Sequence, residues 1–208
     1  MFEVYFAGDL FDQKHITGNL ALVQCIEKLF DNKFKCLLPQ DIEAGHWNSG
    51  VDVRNRDIKA IIESDLVLFN FDGVDIDSGT TVEYVIAKML DVPSVLLRTD
   101  SRSVNYLIGS DWNLMMSGFP RCAIVKQPAI VLYNELGLER THQIIAQAVI
   151  NGFQKVVQEK SVLNSYEEII TAYNHVIKLC GGGLEEIMTQ ELLHEVIRAK
   201  IEKNIYTV

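Results

Sequence analysis

Asp77-Ser78-Gly79-Thr80-Thr81-Val82-Glu83 stands between two kinds of sequence. Before it runs the apolar stretch Leu66-Val67-Leu68-Phe69, which reads as a strand. After it Val82, Val85, Ile86 and Met89 recur at helical spacing. The stretch is therefore a strand-to-helix crossing, and in a parallel sheet such crossings lie at the carboxyl edge, where ligands bind. It sets the Glu83 carboxylate in the first turn of the helix, where the helix dipole favours negative charge. Thr80-x-x-Glu83 also fits the capping box, a pattern that helices carry without any function.

Working outward, Phe2 to Ala7 reads as a first strand that Gly8 ends. A loop to Gly18 holds Asp9, Phe11, Asp12, Lys14 and His15, and the helix after it buries Leu20, Val23, Ile26 and Leu29. Phe34 to Leu38 is a second strand stopped by Pro39. The polar stretch Gln40 to Val53, with His46 and Trp47, is long enough to suggest a binding loop. Asn55 to Ser64 reads as a helix burying Ile58, Ile61 and Ile62, and Leu66 to Phe71 as the third strand. The helix from Thr80 ends near Asp91. Ser94 to Leu97 is a fourth strand, followed by a loop with Arg98 and Arg102 and one helical turn at Asn105 to Ile108. The last strand is either Cys122 to Val125 or, preferred by its apolar run, Ala129 to Leu132.

This alternation implies an α/β fold, a flavodoxin-like doubly wound parallel sheet of about five strands. Ile144 to Val156 supplies a helix that covers one face of the sheet. Beyond it, Tyr166 to Ile177 and Leu184 to Ile197 form two further amphipathic helices, broken apart by Gly181-Gly182-Gly183. The expected organisation is an α/β domain over 1–158 with a C-terminal helical extension over 159–208.

The 208 residues suffice for one such domain with a real core, and 48% hydrophobic with 23% charged residues is ordinary globular composition. A net charge of −9 argues against a nucleic-acid surface. No apolar run approaches a membrane span, and Met1-Phe2-Glu3 lacks the basic start of a signal peptide. Cys25, Cys36, Cys122 and Cys180 are scattered and read as buried small hydrophobes of a reducing compartment. A cytoplasmic protein is the expectation, and no metal site is.

Tyr5, Asp57, Asp77 and Glu83 fall at the ends of elements that converge on one sheet edge. Paired carboxylates are what glycosidic cleavage requires: one protonates the departing group while the other meets the oxocarbenium-like carbon. A tyrosine hydroxyl beside the nucleophile can fix its rotamer. Each also has a plain structural reading: Tyr5 as core, Asp57 as a helix-start residue, Asp77 as a turn or N-cap residue. Phe11 and Trp47 either stack on a base or anchor their loops, and His15 and His46 have no partner at ligand spacing.

Val4-Tyr5-Phe6-Ala7-Gly8, Asn55-Arg56-Asp57-Ile58, Asp77-x-Gly79-Thr80-x-x-Glu83 and Asn113-Leu114-Met115, in this order and with 26 residues from Asp57 to Glu83, resemble the nucleoside 2-deoxyribosyltransferases. The resemblance covers about residues 1–150. It implies that Glu83 is the nucleophile at the anomeric carbon, that Asp57 acts as general acid and then base at the nucleobase, and that Tyr5 orients Glu83. Asp77 would accept from the 5′-hydroxyl and Asn113 of a neighbouring subunit would do the same. Gly8, Phe11 and Gly79 would complete the substrate site. The implied activity is transfer of 2-deoxyribose between nucleobases, in nucleotide salvage, with retention and no cofactor. The implied partners are a deoxynucleoside, a free nucleobase and further copies of the chain. Many members have Gly after the catalytic Glu; Tyr84 here either crowds the helix packing or points away.

Two alternatives share the scaffold. One is N-glycosidic hydrolysis of nucleosides or their 5′-monophosphates. Related monophosphate hydrolases place Ser near Asp77, and a carboxylate there would repel a phosphate. The other is a non-enzymatic nucleotide-binding module, which has no need of a Tyr-supported Glu. A lonely-guy type phosphoribohydrolase would carry Pro-Gly-Gly where Asp75-Ile76-Asp77-Ser78 stands.

Overall fold

A computed structural model describes residues 1–30, 33–42, 49–102 and 113–208. His46, Trp47 and the turn expected at 105–108 lie outside the described residues. Five strands, β1 (Phe2–Gly8), β2 (Phe34–Leu37), β3 (Leu66–Asn70), β4 (Ser94–Arg98) and β5 (Cys122–Lys126), form one sheet in the order β2-β1-β3-β4-β5. Every neighbouring pair is parallel. This is the expected flavodoxin-like winding, and its order reverses between β1 and β3, where Gly8 stands opposite Asn70.

Helices cover both faces. α1 (Gln13–Leu29) and α5 (Ala129–Gln158) lie on one, with Val4, Phe6, Leu66, Leu68, Val95 and Leu97 beneath them. α3 (Gly50–Glu63) and α4 (Ser78–Met89) lie on the other, over Tyr5, Ala7, Val67, Phe69 and Leu96; α2 (Pro39–Ile42) is a single turn before α3. Side chains alternate across the sheet, so β1, β3 and β4 feed both cores. The extension comprises three helices, α6 (Tyr166–Cys180), α7 (Leu184–Ile187) and α8 (Gln190–Glu202). Their Tyr173, Ile177, Leu184, Leu193 and Ile197 are buried in the same cluster as Tyr5, Phe69 and Ile58.

Several expectations need correction. The last strand is Cys122–Lys126, not Ala129 to Leu132, because only the former alternates buried and open positions against β4. Ala129 instead starts α5, and Ile130 and Val131 are left exposed. α5 is itself interrupted at Gly137, whose φ of 76° a residue with a side chain rarely adopts. α1 begins at Gln13, capped by Asp12, so the loop after β1 is far shorter than Gly8 to Gly18. α3 begins at Gly50 rather than Asn55, because the Ser49 side chain accepts from the Asp52 amide and caps it. Pro39 opens a helical turn instead of ending a strand in a loop. The four cysteines are free and only partly buried. No described helix is long and apolar enough to cross a membrane.

Candidate active site

The reversal of strand order places the end of β1, the loop after β3 and the α3 and α4 helices around one cavity of about 470 Å³. Tyr5, Gly8, Phe11, Asp57, Asp77, Gly79 and Glu83 all line it. Asn113 is not among its lining residues; its side chain accepts from the Met115 amide at 2.9 Å and caps the 3-10 turn Leu114–Met116.

At the floor, the Tyr5 hydroxyl donates to Glu83 Oε1 at 2.8 Å. Seventy-eight positions separate the two residues, so only the fold brings them together. Tyr5 is fully buried, and it reaches the pair because β1 alternation aims it at the α3 and α4 face. Its hydroxyl also interacts with the Asp57 carboxyl. Burial first, then the charges of Glu83 and Asp57, push the phenol well above its ordinary value, so it remains a proton donor between two carboxyl groups.

The helix that carries Glu83 is capped differently from the capping-box reading. Asp77 is the N-cap, and its Oδ2 accepts from the Thr80 amide at 2.6 Å; Thr81 Oγ1 donates back to the Asp77 carbonyl at 2.8 Å. Thr80 is buried, and Glu83 falls in the second turn, beyond the reach of a first-turn dipole effect. The Tyr5 hydroxyl holds one of the Glu83 oxygens. Asp57 lies still deeper in its helix than a helix-start residue would, because α3 begins seven positions before it. Gly79 keeps the cap close: a Cβ there would sit 3.2 Å from Asp77 Oδ2. At Gly8 a Cβ would meet the Asn70 Cβ at 3.1 Å, so the strand end needs glycine to approach β3.

Tyr84 points away from the cavity. It is fully buried, its hydroxyl donates to the Met116 carbonyl at 2.8 Å, and it packs edge-on against Phe69 and Phe119. Phe11 projects at the cavity mouth, 81% exposed. His15 sits over its own helix cap, with Nδ1 3.1 Å from Asp12 Oδ1. Among the described residues no group of His, Cys, Asp and Glu is disposed to hold a metal ion.

Sequence reasoning missed the walls of the cavity, chiefly Leu10, Pro39, Gly50, Val53, Arg54 and Val82. The signal for three of them was present. Ser49-x-x-Asp52 starts α3 early, and Gly50, Val53, Arg54, Asp57 and Ile58 then follow at helical spacing down one face. Chemically, the cavity sets two acidic side chains and one hydroxyl among apolar walls, a set able to combine nucleophilic attack with proton transfer.

Residues 4–163 match the family model described as nucleoside 2-deoxyribosyltransferase. Among curated proteins no sequence match was found. The solved structures similar to the chain include the following three. A conserved protein from Enterococcus faecalis V583 is 23% identical with a TM-score of 0.49, over 74% of this chain and 98% of that one. A 2-deoxyribosyltransferase from Leishmania mexicana is 20% identical with a TM-score of 0.48, over 66% of this chain and 100% of that one. A 2-deoxyribosyltransferase from Bacillus psychrosaccharolyticus is 18% identical with a TM-score of 0.45, over 55% of this chain and 80% of that one. The assignment stands on the family model, which spans well over half the sequence: the chain belongs to the nucleoside 2-deoxyribosyltransferase family.

Proposed function

We propose that this chain exchanges nucleobases on 2-deoxyribose through a covalent intermediate on Glu83. The observation that carries the reading is the Tyr5–Glu83 hydrogen bond at the cavity floor, with Asp57 lining the same cavity. In the first step a Glu83 oxygen attacks the anomeric carbon, the glycosidic C–N bond breaks, and Asp57 delivers a proton to the departing base. In the second step a new base attacks the same carbon, the ester to Glu83 breaks, and Asp57 takes the proton back. Two displacements at one carbon leave its configuration unchanged. Tyr5 holds Glu83 in one rotamer through both steps.

Asp77 keeps one oxygen on the Thr80 amide, which fixes the carboxylate at the cavity wall. In this reading its other oxygen accepts from the 5′-hydroxyl, and its charge disfavours a 5′-phosphate. Gly8 and Gly79 leave room for the sugar, and Phe11 covers the base at the mouth. Asn113, absent from this cavity's lining, belongs in this reading to the cavity of another copy in a homo-oligomer.

The test is incubation of purified protein with a deoxynucleoside and a different free base. Appearance of the exchanged nucleoside supports the reading. Free deoxyribose with no exchanged nucleoside would make the chain a hydrolase on the same scaffold, and neither product with any natural deoxynucleoside would defeat it.

A further inference from the structure

Residues 164–208 lie beyond the family match, yet they hold the helix that carries Asp57 at both ends. Near its start, Arg54 Nη2 donates to the carbonyls of Cys180 at 3.0 Å and Gly181 at 3.2 Å. Asn55 Nδ2 donates to the Gly182 carbonyl at 2.6 Å, while its Oδ1 accepts from Arg54 Nη2 at 2.7 Å. Asn55 itself is 3% exposed, so its side chain meets the turn from inside the core. At the other end, Lys200 Nζ donates to the carbonyl of Ser64, the residue that closes α3, and Lys203 pairs with Asp65 at 2.7 Å. Between the two grips Ile58, Ile61 and Ile62 share one buried cluster with Ile177, Leu184 and Leu193.

The triglycine between α6 and α7 is built for this contact. Gly181, Gly182 and Gly183 all have positive φ, at 54°, 61° and 83°, a series that side chains would strain. A Cβ on Gly182 would sit 2.6 Å from Arg54 Nη2 and 2.8 Å from Val51 Cγ1. A bare helix break would leave open space there. The turn instead presents three consecutive carbonyls to the Arg54-Asn55 pair, and Asp57 follows two residues later.

We propose that the C-terminal extension positions α3: the Gly181–Gly183 turn, gripped by Arg54 and Asn55, sets the placement of Asp57 against Tyr5 and Glu83. Asn55 and Gly182 are positioning residues that never touch the substrate, and the inference rests on the proton-transfer role proposed for Asp57. Displacing α3 weakens proton delivery to the departing base and leaves attack by Glu83, which α4 carries, intact.

Two donors separate the two effects. A natural deoxynucleoside needs its base protonated as it leaves, whereas 4-nitrophenyl 2-deoxy-β-riboside loses its phenolate without help. Gly182→Ala is expected to lower kcat on the nucleoside by about tenfold, as a small displacement of a proton donor does. On the nitrophenyl donor the same variant should stay within about threefold of the parent chain, since no proton transfer is needed. Asn55→Ala removes the 2.6 Å bond without adding volume and should show the same split, so a folding failure of one variant leaves the other to decide. Equal losses on both donors, or no loss on either, would overturn the positioning role. A parent chain inactive on both donors would overturn the proposed function and this inference with it; an active parent with unsplit variants overturns the inference alone.

Discussion

On β1 the side chains of Val4 and Phe6 turn towards α1 and α5, and those of Tyr5 and Ala7 towards α3 and α4. The first core is built from apolar side chains, Phe34 and Phe153 among its aromatics, and its logic is burial. The second buries an equally large aromatic ring but gives it a hydroxyl and ends it on the Glu83 carboxyl group. Phenylalanine at position 5 would satisfy packing just as well. The Tyr5 hydroxyl bonded to a carboxylate in the cavity is therefore the feature that sets the two faces apart.

The sharpest break of this contrast comes from Glu83→Ala. Exchange should fall by roughly 10³-fold or more, as expected when a nucleophile is removed, with the fold retained by circular dichroism. Residual activity near that of the parent would mean the second face is ordinary core after all. Phe6→Ala probes the opposite face one residue from Tyr5. It should cost about 3–5 kcal/mol in urea unfolding through the cavity it leaves, while kcat of the folded chain stays within about threefold. Tyr5→Phe should reverse that pattern, lowering kcat by about 10- to 100-fold with a stability change below about 1.5 kcal/mol. If Phe6→Ala and Tyr5→Phe altered stability and rate alike, the two faces would not differ in kind.

The smallest effect tests whether polar burial on the second face always serves catalysis. Lys200, fully buried beneath α3, is pushed by desolvation from 10.5 down to about 7. Between those values the unfolded chain binds a proton that the folded chain does not, so stability rises as pH rises from about 7 towards 10. The slope from this group is at most about 1.4 kcal/mol per pH unit. Lys200→Met should flatten it, measured as urea midpoints at about pH 7 and about pH 9. An unchanged slope would show that the lysine is not the source.

The sheet was legible because β1, β3 and β4 are short apolar runs that alternate with helical periods, and right-handed crossovers leave little choice of order. Glu83, Tyr5 and Asp57 were legible because their residue types sit at spaced positions that the cavity later unites. The failures have physical causes. Ala129 to Leu132 has strand-like side chains, but α5 extends through it and leaves two of them open to solvent. Glu83 and Asp57 stand deeper in their helices than the caps suggested, because Ser49 and Asp77, not Asn55 and Thr80, begin them. The grip of Gly181–Gly183 on Arg54 and Asn55 joins positions 126 and 127 residues apart, and no local pattern encodes such a contact.

The direct measurement of the central claim is mass spectrometry of the chain quenched during turnover with a deoxynucleoside. The account predicts one deoxyribosyl group on the peptide that contains Glu83, discharged when a second base is added and recovered as the exchanged nucleoside. No adduct at any time during active exchange, or an adduct on another residue, would contradict it.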